Sequence, residues 1–300
     1  GSVNDELPTF VVLPDPRGFP NGGTSNWSQG FLPAQHQGTP FATDGKKDPI
    51  ANLKTPASVS AAGRRASLRI LAQFNESFAR ANQGNDALQA RARSYELAAR
   101  MQTSIPRVVD LSGETAATRK LYGLDRKEIA ASATNYLMAR RLIERGVRFV
   151  QVWSGAGQPW DNHDKLAEQH KKLAGQWDGP IDALMTDLKR RGLFEDTLIL
   201  WGGEFGRTPV AEFPALNGRD HNHYGFSVWL AGGGIKGGTI HGATDELGFR
   251  AVENPTPVHD LHATMLHLLG LDHERLTYRY AGRDFRLTDV SGHVIKEIIS

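Results

Sequence analysis

The stretch TLILWGGEFGRTPVAEFPALNGRDHNHYGFSVW, Thr197–Trp229, decides how this chain is read. Its first apolar run, Thr197–Trp201, and the run Phe226–Ala231 that begins near its end read as buried strands. Between them lies a polar loop that holds Glu204, Arg207, Asp220, His221 and His223. A loop longer than ~15 residues without structure of its own is usually functional or disordered. This one gathers the side chains that bind metals and anions, and two strands flank it. Gly202-Gly203 at its start lets backbone come close where a side chain would block the approach.

Immediately upstream, Val147–Trp153 is rich in β-branched and aromatic residues and predicts another strand. A glycine-containing loop carrying Trp160-Asp161-Asn162-His163 follows, then a helix over 164–191, kinked or broken at Gly179-Pro180. The second half of that helix is expected to bury Ile181, Leu184, Met185 and Leu188. Strand, loop, helix and strand of this length read as a βαβ crossover, so strands 147–153 and 197–201 are expected to be parallel. In open α/β sheets, ligands sit beyond the carboxyl ends of such strands. The loop with Asp161 and His163 and the loop with Glu204 and Arg207 then open on one edge. The chain re-enters the sheet from that edge, so strand 226–231 should run antiparallel to strand 197–201.

Asp161, His163, Glu204 and His221 are therefore expected to converge, with Asp220, His223 and Arg207 nearby. Carboxylate and imidazole ligands suit zinc, manganese or iron; calcium, which prefers oxygen alone, is the weaker candidate. An arginine beside a metal suits a tetrahedral dianion, because its planar fork binds two oxygens. Each residue also has a plainer reading. Asp161 could cap the helix after it, Glu204 could pair with Arg207, and His223 could face solvent. Thr208, before Pro209, reads as closing a turn rather than as a nucleophile. His170 and the histidines at 259, 262, 267, 273 and 293 read as structural or exposed.

The remaining chain predicts a strand over 7–13, ended by Pro14 and Pro16, and a long loop over 17–58. That loop is either pinned to the surface by Phe19, Trp27, Phe31 and Phe41 or a lid. From Val59 the pattern turns helical, with Leu68, Leu71, Phe74 and Phe78 on one face. Gly84-Asn85-Asp86 breaks it, with Asp86 as N-cap, and a second helix carries Leu88, Tyr95 and Met101 inward until Pro106 stops it. The pair reads as an antiparallel hairpin. A short helix over 112–123, capped by Ser112 or Gly113, and another over 126–145, stopped at Arg145-Gly146, follow. GGGIKGG, Gly232–Gly238, is a turn without the helix that a dinucleotide loop requires. A helix over 258–269 and a weak strand or hairpin in the tail complete the reading.

Composition narrows the classes. Hydrophobic residues make up 39% and charged residues 23% of 300, ordinary for a globular protein. The net charge of +2, from 35 basic against 33 acidic side chains, gives no reason to expect nucleic acid. No apolar run approaches the ~20 residues that span a bilayer, so no membrane partner is expected. There is no cysteine, which excludes disulfides, thiolate zinc sites and cysteine nucleophiles within these residues. Gly1-Ser2 reads as an expression scar, so the natural start is expected upstream.

At its polar motifs the sequence resembles a sulfatase-like family of formally unknown function in the alkaline phosphatase superfamily. The family pattern WDxH matches Trp160, Asp161 and His163; GEFGRTP matches Gly203–Pro209; GRDH matches Gly218–His221. The stretches 230–246 and 260–272 match as well. The resemblance implies one α/β domain over 1–300: a mixed, mostly parallel sheet flanked by helices, alkaline phosphatase-like, with an inserted helical hairpin in 59–145. It implies a metal-dependent hydrolase of phosphate or sulfate esters, acting on a small anionic ester or sulfated sugar. Asp161, His163, Glu204, Asp220 and His221 would hold the metal, zinc or manganese first. Arg207 and Glu204 would be catalytic, and Arg207 and His223 would bind substrate. Phe205 stands where the superfamily pattern has a histidine, so a two-metal set would draw on His223 or His163. The alternative is a non-catalytic relative that binds an anionic sugar or polysaccharide. The resemblance further suggests an exported, periplasmic protein. The superfamily's nucleophile and one metal-binding Asp come from an N-terminal part without counterpart here, so low turnover is expected of these residues alone.

Overall fold

Strand β1, Phe10–Leu13, is apolar at every position because both its neighbours and both its faces are covered. Val11, Val12 and Leu13 are fully buried. A continuous apolar run is what a parallel strand covered on both faces requires. The computed structural model describes residues 4–43, 48–50, 58–82, 86–211, 214 and 216–300, with backbone alone at 34, 61, 86–94, 102 and 103. The described residues form a mixed α/β structure with several small sheets. The chain divides into two compact units, Gly1–Pro159 with Gly175–Leu184, and Trp160–Ala174 with Met185–Ser300.

In the first unit β1 is the centre of a three-stranded parallel sheet, between β2 (Thr39–Pro40) and β3 (Phe149–Val152). Within the 17–58 segment Trp27 and Phe41 are buried, which pins it as the plainer reading expected, while Phe19 is 49% exposed. Helices α1 (Ala61–Ala81) and α2 (Asp86–Val109) are present, α1 capped by Ser60, whose side chain accepts from Gly63 N. Gly84 and Asn85, the expected break, and the side chains of Asp86 and Leu88 lie outside the described residues. The expected inward faces are corrected: Phe74, Phe78 and Tyr95 are exposed, and α2 buries Met101, Ile105 and Val108.

Pro106 does not stop α2, which runs on to Val109. A proline inside a helix costs about 3 kcal/mol. Ile105 and Val108 on either side of it are buried with Leu13, Phe41, Met138 and Leu142, and each contributes about 1.5–3 kcal/mol. Burial therefore outweighs the proline. Helix α3 (Ala116–Tyr122) starts later than expected, with Thr115 as cap, its hydroxyl accepting from Thr118 N at 3.0 Å. Glu114 is drawn away from the helix start. It accepts from Arg140 Nη2 at 2.6 Å and from Arg141 Nη1, with Arg140 only 2% exposed. Helix α4 (Ala130–Glu144) ends at Arg145-Gly146 as expected, Gly146 in the left-handed region.

Helix α5 (Leu166–Arg190) has residues in both units and continues through Pro180. Its buried positions include Leu173, Trp177, Ala183 and, as expected, Leu188, whereas Ile181, Leu184 and Met185 are only half-buried. Large anchors on both sides of Pro180 hold the helix, since tertiary packing supplies most helical stability.

In the second unit β4 (Ile199–Trp201) pairs antiparallel with β7 (Trp229–Ala231), Trp201 opposite Trp229, as expected. β3 pairs with β1, and β4 pairs with β7. The polar loop between β4 and β7 contains its own short ladder, β5 (Gly206–Arg207) against β6 (His221–Asn222). Strands β8 (Ala243–Thr244) and β9 (Ala251–Glu253) pair next, then helix α6 (Val258–Leu268). Strands β10 (Thr277–Tyr280) and β11 (Arg283–Arg286) form the tail hairpin, turned at Ala281-Gly282 with positive φ at both. Among the described residues no helix is long and apolar enough to cross a membrane.

Candidate metal centre

Three local devices place the polar side chains of the second unit. The first is the β5–β6 ladder, which sets Arg207 directly opposite His221. Opposed residues on one face of an antiparallel pair interact directly. The ladder is extended by Thr208 N donating to Asp220 O at 2.9 Å. The Thr208 hydroxyl donates to Val210 O at 2.7 Å and accepts from Asp220 N at 3.2 Å, so it closes the turn.

The second device stitches the Asp161–His163 loop to the Asn217–Asp220 loop. Arg219 N donates to Asn162 O at 3.1 Å, and Leu166 N donates to Asn217 O at 3.1 Å. Lys165 has φ +46, a left-handed conformation unusual for a side chain that large. Its N–H is held by Asn217 Oδ1 at 3.1 Å. Gly218 lies hard against this seam: a Cβ there would sit 1.8 Å from His163 O and 2.6 Å from Asp164 N. The third device is Asn222, 3% exposed, whose amide donates to Phe249 O at 2.9 Å and accepts from Tyr224 N at 3.0 Å.

Asp161 is the hub that results. Its Oδ1 accepts from Arg207 Nη1 at 2.6 Å and lies 2.9 Å from His221 Nε2 and 3.1 Å from His163 Nε2. It does not cap α5, and Arg207 pairs with it rather than with Glu204. Partial burial opposes ionisation of Asp161. Hydrogen bonds from His221 and Arg207 and the charge of Arg207 outweigh that and hold the carboxyl at about 2. It is thus an anion across all ordinary pH. The Phe205 ring lies 4.6 Å from the His221 ring and 5.8 Å from the Arg207 guanidinium carbon, walling both.

Asp161, His163 and His221 offer ligand atoms that all lie within 4.8 Å of one another. One oxygen and two imidazole nitrogens are the donor set of zinc, manganese or iron rather than calcium. The donors fit a cation. The carboxylate–imidazole separations of 2.9 and 3.1 Å are hydrogen-bond distances, and they would open to roughly 3.3–3.6 Å around a tetrahedral cation with bonds of about 2.0–2.2 Å. Three protein ligands are the number catalytic zinc sites use. The other expected members fall outside this group. Asp220 Oδ1 faces His163 Nδ1 at 4.0 Å, beyond hydrogen-bond length, and instead accepts from His221 N at 2.7 Å. Glu204 is exposed and among the described residues makes no ion pair. His223 is exposed and stacks on Tyr224, ring centroids 3.8 Å apart. Of the histidines set aside as structural, His273 is buried and bonded to Thr288, and His170 packs on Trp160.

The family described as "Protein of unknown function (DUF1501)" matches residues 1–299. The chain belongs to this family. No curated protein and no solved structure matches the chain. Membership in DUF1501 carries no activity with it, so function is argued from the site. Sequence reading missed the β5–β6 ladder, the packing of Phe205 on His221, and Asn217. Two-residue strands have no periodicity to detect. The seam around Asn217 and Gly218 depends on contacts between loops far apart in sequence.

Proposed function

We propose that this DUF1501 member is a metal-dependent hydrolase of phosphate or sulfate esters with an alkaline phosphatase-like fold. The observation that carries the reading is the Asp161–His163–His221 group with the Arg207 guanidinium on the same carboxylate oxygen. Asp161, His163 and His221 would hold a divalent cation, zinc or manganese first. When bound, that cation supplies positive charge to the ester oxygens and lowers the pKa of water. Arg207 spends one N–H on Asp161 and has four further donors for the non-bridging oxygens of a tetrahedral anion. Asp161 keeps Arg207 in place and remains ionised throughout. Phe205 excludes water from one side of His221 and Arg207, which strengthens both interactions.

A second reading, a non-catalytic relative that binds an anionic sugar, draws support from two side chains. Glu204 stands apart from the cluster, and the Thr208 hydroxyl is committed to its turn. One experiment separates the readings. The protein is titrated with zinc and manganese by calorimetry, then assayed with an aryl sulfate and an aryl phosphate with each metal. The hydrolase reading expects metal binding and turnover of one ester, both abolished in Asp161→Asn. Metal binding and sulfate-ion binding with no turnover of either ester would leave the second reading.

A further inference from the structure

In the first unit, helix α1 has three chemically different sides. Ile70, Leu71, Phe74 and Phe78 recur at steps of three and four and share one arc of ~100°. Phe74 is 69% exposed, Phe78 58%, Ile70 53% and Leu71 46%. Arg65, Arg69, Glu76 and Arg80 recur at steps of four and seven on the far side, and all four are exposed. Leu68, Asn75 and Ala79, half-buried, share the third side, and α1 lies beside α2. Glu76 pairs with Arg80, whereas among the described residues Arg65 and Arg69 have no ion-pair partner. The wider segment 59–109 holds eight arginines, no lysine and three acidic residues, Glu76, Asp86 and Glu96. Its net charge is +5 in a chain of +2, so the other residues together carry −3.

We propose that α1 is a surface-binding helix that lays its apolar side into the head-group boundary of a bilayer rich in anionic phospholipid. This role stands independently of the hydrolase reading. It needs no spanning run, because a helix in the interface plane buries one side only, with large apolar residues there and basic ones on the polar side. The four apolar side chains leave roughly 400 Å² open, the size of patch that on a single molecule often marks a binding surface. A second copy of the chain fits this patch less well. Each partner of a standard interface buries about 800 Å², and two copies would bring two segments of +5 together. Nucleic acid would meet the arginines but leave Phe74 and Phe78 in water, since phosphate contacts dominate its binding. An anionic lipid surface takes both the phenyl rings and the charge. A helix is about 10–12 Å across, and the Debye length is about 10 Å in 0.1 M salt. Arg65 and Arg69 therefore still feel the surface when the apolar side lies against it.

The test is sedimentation of the protein with vesicles of phosphatidylglycerol and phosphatidylcholine in equal amounts, and with vesicles of phosphatidylcholine alone. It is run on the wild type, Phe74→Ser, Phe74→Trp and a double variant, Arg65→Gln with Arg69→Gln. Changes at exposed positions alter folding stability little, and far-ultraviolet dichroism checks each variant. The wild type should bind the anionic vesicles, less tightly as salt is raised, and bind phosphatidylcholine alone about tenfold or more weakly. Phe74→Ser should lose about tenfold, the value of burying one such side chain, and the arginine double variant about tenfold as well. Phe74→Trp should bind like the wild type, since tryptophan suits the interface. No binding to anionic vesicles, or equal binding by the wild type and Phe74→Ser, overturns the proposal. So does binding of a short DNA duplex, in place of vesicles, that needs the two arginines and not Phe74. A dimer in light scattering that Phe74→Ser dissociates, with no vesicle binding, would assign the face to a second copy and overturn it too.

Discussion

Substituting Gly218 by alanine tests whether the seam between the two loops sets the ligand geometry. Gly218 is not in the left-handed region, so the change adds only a methyl group. That methyl would start 1.8 Å from His163 O and 2.0 Å from His163 C, both backbone atoms that cannot rotate away. Restoring an ordinary carbon–oxygen contact near 3.4 Å requires the loops to part by roughly 1.5 Å. Metal ligands tolerate about 0.2 Å. His163 moves with its own carbonyl while His221 stays on the β5–β6 ladder, so the two imidazoles separate. Zinc affinity measured by calorimetry should fall by about 100-fold, the upper end of what orienting changes cost. Overpacking should cost a further 1–3 kcal/mol of stability, roughly, in a denaturant titration. Gly218→Ala that binds zinc like the wild type while its far-ultraviolet dichroism is unchanged would refute the seam as the positioning device.

Arg207→Ala should leave zinc affinity within a few-fold but lower ester turnover by about 10²–10³, the cost of losing one preorganised donor; loss of metal affinity instead would show Arg207 to be structural. Zinc affinity should weaken on acidification, because imidazole nitrogens ligate only when neutral. Asp161, held at about 2, should contribute nothing to that titration, and a midpoint near pH 4 would contradict this assignment. In the first unit, Glu114→Gln should destabilise by about 1.5–3 kcal/mol, because it removes the carboxylate shared by Arg140 and Arg141 while Glu144 still pairs with Arg140 at 2.6 Å. Burial opposes the Glu114 anion but the two arginines outweigh it, so its pKa lies below the ordinary value. Its contribution is therefore full above about pH 4.3 and lost as pH falls through the folded value. Wild type and variant should converge in stability on acidification, which denaturant titrations at pH 7 and pH 3.5 would check.

What the sequence made legible follows the range of the forces involved. β-branched runs located β1, β3, β4 and β7, and the antiparallel pairing of β4 with β7 followed from which edge the loop occupied. The stop at Gly146 was readable because a positive φ there is a local requirement. Pro106 was misread because the penalty for a helical proline is local, whereas the burial of Ile105 and Val108 that overrides it is not. The start of α3 was misread for a similar reason. The pull of Glu114 toward Arg140 and Arg141 depends on side chains from the next helix. At the site, Asp161, His163, Arg207 and His221 were legible because ligand types cluster in motifs. Excluding Glu204 needed the β5–β6 register, which pairs Arg207 with His221 and leaves Glu204 outside the ladder.

That register also gives Phe205 a role. A histidine at that position would stand beside the ligand group and invite a second cation. The phenyl ring there instead packs 4.6 Å from His221 and 5.8 Å from the Arg207 guanidinium carbon. It cannot ligate, but it removes water from one side of an imidazole and a guanidinium that Asp161 already holds. Within the proposed function, positive charge that a second ion would have brought must come from the Arg207 guanidinium. A fixed guanidinium needs no ligands, only a carboxylate to orient it and a wall to limit its hydration. Asp161 and Phe205 supply those two things. Within the proposed function, Phe205 is thus consistent with one cation beside one arginine.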